Sequence, residues 1–206
     1  MQAGWFGRAA GGVALALGLA LAAAPAKAAF VFTMQEVAGG VELNGSGTIN
    51  TAALTIGDPN SFGVSGVLPN EGVIRGGNGS FDLTEWFGVT GPVSFGPGTV
   101  NKNTTARSGD PLVLVGIYEF LLLPDDYVSG SQLSNTGFFG GSTFASLGVT
   151  PGTYVWTWGR EDQADSLTLK IIDPTAVPAP ASAALFGAAL LGLAALRRRL
   201  PAPAAG

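Results

Sequence analysis

The chain has 206 residues, only 12% of them charged, with 32 glycines and neither cysteine nor histidine. Without those two residue types a Ser-His-Asp triad, a cysteine nucleophile and a Cys/His zinc site are excluded, and stability rests on packing without disulfides. The overall charge of −4 hides an asymmetry: fourteen acidic and five basic residues give segment 29–173 a net charge of −9, which argues against nucleic-acid binding.

In chain order, the first element is a targeting segment. Arg8 precedes an apolar run from Gly11 to Ala24, and Ala26-Lys27-Ala28 supplies small residues where a signal peptidase reads. This is the layout of a secretory signal peptide over 1–28, cleaved after Ala28 or alternatively after Ala29. Its partners are the Sec translocon and signal peptidase.

From residue 29 to 173 the pattern is short strands between Gly-containing turns, predicting a single all-β domain. Phe30–Met34 and Val41–Leu43 read as a hairpin turned at Gly39-Gly40. Gly47–Asn50 and Ala53–Ile56 read as strands, with Asp58-Pro59-Asn60 as a stop. Ser80–Leu83 follows a glycine-rich turn. Leu112–Leu123 reads as one central strand bent at Gly116 and ended by Pro124-Asp125-Asp126. Tyr154, Trp156 and Trp158 alternate with Val155 and Thr157, and Leu167, Leu169 and Ile171 alternate with Thr168 and Lys170. Period two on both sides of the polar loop 159–165 predicts a second hairpin with one apolar face and a wet tip. Burying these faces together predicts a single β-sandwich, jelly-roll-like or Ig-like. Asn44-Gly45-Ser46, Asn78-Gly79-Ser80 and Asn103-Thr104-Thr105 read as turns.

The last segment, 174–206, is again a targeting pattern. Val177-Pro178-Ala179-Pro180 breaks the chain, an uncharged apolar stretch runs over 181–196, and Arg197-Arg198-Arg199 follows. Those sixteen residues make a helix of ~24 Å against a hydrocarbon core of ~30 Å, a gap that snorkelling arginines narrow. The arginine cluster marks a membrane stop on the cytoplasmic side.

Motif, short helix and arginine cluster together resemble the sorting signal of PEP-CTERM proteins. Ala179 stands where that family usually has glutamate, and a tail over 200–206 follows the arginines. Ser142–Gly148, Pro151–Gly159, Gly91–Gly96 and Leu123–Gly130 also resemble segments of these proteins. The resemblance implies an exosortase as processing partner, the inner membrane as a way station, and a final place at the cell surface or outside it. It also implies a structural or interaction role linked to exopolysaccharide or biofilm.

The remaining chemistry is sparse. Glu85, Glu119, Asp125 and Asp126 are the candidates for a two-carboxylate hydrolase, and no spacing supports a pair. Glu161, Asp162 and Asp165 share one loop without a calcium-loop spacing. No catalytic residue, metal site or cofactor is assigned, and the chain is not expected to be an enzyme. Tyr154, Trp156 and Trp158, with Trp86 and Phe87, form a candidate ligand face for sugar rings, the alternative being a carbohydrate-binding module. Three aromatics on one strand face serve more commonly as core.

Overall fold

The computed structural model describes residues 29–173. Thirteen strands among them form two sheets: β1 (Ala29–Val37), β2 (Gly40–Thr48), β3 (Thr55–Phe62), β4 (Gly66–Leu68), β5 (Val73–Gly76), β6 (Ser80–Phe87), β7 (Lys102–Asn103), β8 (Ala106–Gly109), β9 (Leu112–Val115), β10 (Phe120–Pro124), β11 (Gln132–Gly140), β12 (Gly152–Trp158) and β13 (Asp165–Ile171). A four-residue helix, α1 (Phe144–Leu147), starts with a capping box between Thr143 and Ser146. The predicted signal peptide, motif 177–180, apolar helix and arginine cluster lie outside the described residues. Among the described residues no helix is long and apolar enough to cross a membrane.

The first sheet has the order β12-β13-β1-β2-β11-β8, the second β3-β6-β10-β9-β5-β4-β7. The all-β expectation holds, and one apolar core is shared by the two sheets. Phe30, Phe32, Met34, Leu43, Leu167 and Leu169 from the first meet Val67, Ile74, Leu112, Leu114, Leu121 and Leu123 from the second. Each such side chain, fully removed from water, contributes roughly 1.5–3 kcal/mol. Both predicted hairpins form: β1–β2 turns through Gly39 at φ +88°, and β12–β13 pairs Tyr154 with Leu169 and Trp156 with Leu167.

The first and last strands of the described chain, β1 and β13, are parallel neighbours: Ala29 lies beside Ser166 and Met34 beside Ile171. Entry and exit are therefore a strand length apart, on the order of 20 Å at ~3.3 Å per residue.

Gly47-Thr48 is the end of β2, and Ala53-Leu54 lie in the turn before β3, so neither stretch is the separate strand expected there; four further expectations need correction. Asp58-Pro59-Asn60 does not stop a strand; it lies inside β3, an edge strand whose register shifts on both sides of Pro59-Asn60. An edge with bulges is where a strand tolerates proline's missing N–H. Leu112–Leu123 is not one bent strand but the antiparallel hairpin β9–β10, with Leu114 opposite Leu121. Gly116–Tyr118 turns the chain and Glu119 completes the reversal at φ 57°. A Cβ on Gly116 would lie 2.7 Å from the Pro92 carbonyl oxygen, so glycine is required there. Asn44-Gly45-Ser46 is mid-strand in β2, not a turn. Asp165, placed in a solvated loop by the sequence, is the buried first residue of β13.

Candidate functional site

The aromatic strand predicted as a ligand face belongs to the core. Trp156 is 1% and Trp158 4% exposed. Their indole N–H groups donate to the carbonyls of Pro92 (2.8 Å) and Asn50 (2.7 Å). Tyr154 is half-buried against the same core and its hydroxyl donates to the Thr150 carbonyl at 3.0 Å. The two indoles, so placed and so hydrogen-bonded, have no face left for a ligand. The Trp86–Phe87 pair splits across its sheet, as period two demands. Trp86, opposite Leu121, packs against the core with its indole N–H buried and unpaired, while Phe87 lies on the outer face, 38% exposed.

The acids of loop 159–165 do not gather. Asp165 accepts the backbone N–H of Asn50 through Oδ2 and that of Ser166 through Oδ1, both at 2.6 Å. Burial pushes its pKa above the ordinary aspartate value, and the two N–H bonds oppose that shift. Glu161 and Asp162 sit in an exposed 3-10 turn. Among the described residues no group of three or more acidic side chains is placed to hold a metal ion.

A knot of polar contacts ties this loop to the rest of the end. The Tyr127 hydroxyl accepts the N–H of Ile49 (2.9 Å) and is placed to donate to the carbonyl of Ile49 or of Ser131. Ser129 Oγ accepts the N–H of Thr51 at 3.0 Å. Residues 49–51 are thus held by three separate segments through two hydroxyls, one carboxylate and one indole. That arrangement is structural.

The four candidate carboxylates fall in two places. Asp125 accepts the Thr84 hydroxyl at 2.5 Å and, with Asp126, lines an open hollow shared with Asp82 and Asp110. Asp110 accepts the N–H of Ser134 at 2.8 Å. Glu85 and Glu119 lie instead at the far end of β6 and of hairpin β9–β10, where Glu85 accepts from Asn60 Nδ2 at 2.6 Å.

That far end carries the exposed aromatic cluster of the described surface. Phe87 and Phe120 are cross-strand partners on the outer face of the second sheet, with ring centroids 5.5 Å apart at 61°. Tyr118, 65% exposed, lies parallel to Phe120 within 8° at 6.4 Å. Below them Phe62, Leu83, Val113 and Leu122 form a small second core on the same face. Sequence reasoning found Phe87 and missed Tyr118 and Phe120, because reading Leu112–Leu123 as one strand hid the turn that brings them together. The available signal was the isolated Glu119 inside an apolar run. In comparisons with known proteins, no family model, no curated protein and no solved structure matches the chain.

Proposed function

We propose that this chain is an exported protein of the bacterial cell surface or extracellular matrix, sorted by an exosortase and serving a structural or interaction role linked to exopolysaccharide or biofilm. The observation that carries the reading is the pattern at 177–199: Pro motif, short apolar helix, arginine cluster. The signal-peptide layout at 1–28 supports it from the other end. The proposed fold is a β-sandwich of jelly-roll-like or Ig-like kind, followed by a membrane helix at 181–196.

Two features of the described domain fit this role. It is acidic and free of cysteine, so its folding outside the cytoplasm needs no oxidant. The last strand ends at Ile171, six residues before Val177, which leaves a short tether between folded domain and sorting motif. Cleavage after Ala28 would leave Ala29, the first residue of β1, in place beside Ser166.

The test is intact mass and cell fractionation in hosts with and without exosortase. The expected mature species begins at Ala29, ends near Pro178, lies outside the inner membrane, and is lost without exosortase. A species retaining Arg197–Arg199 in the inner membrane under both conditions would replace sorting by plain anchoring.

A further inference from the structure

We propose that the outer face of the second sheet around Phe87, Tyr118 and Phe120 is a binding site for a neutral polysaccharide of β-linked, all-equatorial hexopyranoses. The proposal gives a ligand class to the interaction role above and rests on that reading only for its biological setting. Sugars of this kind carry their hydroxyls around the rim and their C–H bonds on two flat faces. Such faces stack on aromatic rings, and the rim needs hydrogen-bonding groups beside those rings.

This end of the sheet supplies both. Tyr118 and Phe87 are exposed aromatic rings, and Phe120 supports each from within the sheet. The rim is polar: the Tyr118 hydroxyl, the exposed Glu119, and Glu85 already engaged with Asn60. Glu119 holds a left-handed backbone at φ 57°, where glycine would sit without steric cost, and it carries its carboxylate into solvent there.

Charge and area narrow the occupant. At this end of the sheet Glu85 and Glu119 carry charge, and strands β3, β6 and β10 with the turn before β10 contain no lysine or arginine. A uronate, a sulfated glycan or a nucleic acid would meet only repulsion there. The exposed parts of Phe87 and Tyr118 amount to roughly 200 Å² of ring surface, far below the ~800 Å² per partner of an ordinary protein interface. A single sugar chain needs no more than that.

Affinity electrophoresis of the full-length chain tests the proposal, in native gels with a polyoxyethylene detergent that has no sugar headgroup. The probes are hydroxyethylcellulose, a neutral β-glucan, and carboxymethylcellulose, its anionic counterpart. Retardation by the first and not the second is expected. Tyr118→Ala should weaken it roughly tenfold or more, which corresponds to ~1.4 kcal/mol. Phe87→Ala should weaken it too, Tyr118→Trp should retain it, and Val128→Ala, another exposed apolar position, should leave it unchanged. Four results would each overturn the assignment: no retardation, equal retardation of Tyr118→Ala, equal retardation by both polymers, or self-association that Tyr118→Ala abolishes. None of them bears on sorting, which the fractionation experiment decides separately.

Discussion

Replacing Trp156 separates a core role from a binding role most directly. The ring is buried in β12, its N–H donates to Pro92, and it occupies the space a Cβ on Gly91 would need, 2.5 Å from Trp156 Cδ1. Trp156→Ala removes that packing, and truncations of this kind cost about 3–5 kcal/mol. Against a total stability of about 5–15 kcal/mol, about a fifth or more of the margin would go. At roughly 3 °C per kcal/mol for a domain near 150 residues, the melting temperature should fall by about 10–15 °C. Trp156→Phe keeps most of the ring and gives up the hydrogen bond, at about 2 kcal/mol. Urea unfolding followed by far-UV circular dichroism measures both, with Tyr118→Ala as an exposed aromatic control expected within ~0.5 kcal/mol of the parent. A Trp156→Ala midpoint as close to the parent as that control would refute the placement of β12's inner face in the core.

Three other substitutions probe the ends of the sheets. Asp165→Asn keeps the shape but offers one acceptor where the carboxylate offers two, so either the Asn50 or the Ser166 N–H would face an amide donor; a loss of about 1–3 kcal/mol in urea midpoint is expected. Because burial raises the folded pKa of Asp165, its contribution to stability is fully present below the unfolded aspartate pKa and is lost as pH rises through the raised folded value; carboxyl-carbon NMR titration should place it above ordinary aspartates. Tyr127→Phe leaves the Ile49 N–H without its acceptor and should cost about 1–3 kcal/mol, read as a lower melting temperature. Glu119→Gly relieves a left-handed side-chain-bearing residue and should raise stability by about 0.5–1 kcal/mol while weakening retention on hydroxyethylcellulose.

What the sequence discloses here depends on how local each decision is. The hairpin of Tyr154–Trp158 and Leu167–Ile171 was legible because strict alternation on both sides of a polar loop admits one reading. Leu112–Leu123 was not, because its apolar residues fill both faces of the second sheet: Leu114 and Leu121 point into the shared core while Val113 and Leu122 build the smaller one outside. A continuous apolar run carries no mark of where a turn falls, and Gly116 was compatible with a bulge as well as a reversal. Pro59 misled for the opposite reason, since only its place on an edge makes it tolerable in a strand. Asp165 was misread because nothing local says that the N–H of Asn50, 115 residues away in sequence, will fill one lobe of its carboxylate.

The same distance dependence bears on how the domain is made. β13 completes the first sheet by lying between β12 and β1, and its pairing with β1 joins residues 29–34 to residues 166–171. Until residue 171 is free of whatever channel delivers the chain, β1 has only β2 beside it, and one flank of that pair presents unpaired backbone. Such a chain closes its sheet late, because the loop-closure entropy of more than a hundred residues must be offset by contacts that form together. On the proposed export route, a tether of five residues between Ile171 and Val177 would place this closing step beside the membrane, while the proposed helix at 181–196 would still hold the chain. On that route, holding the chain's end fixed during the step would give β13 time to find β1 before neighbouring copies reach the open flank, which would be a reason in folding physics for removing a sorting helix only after the domain is complete.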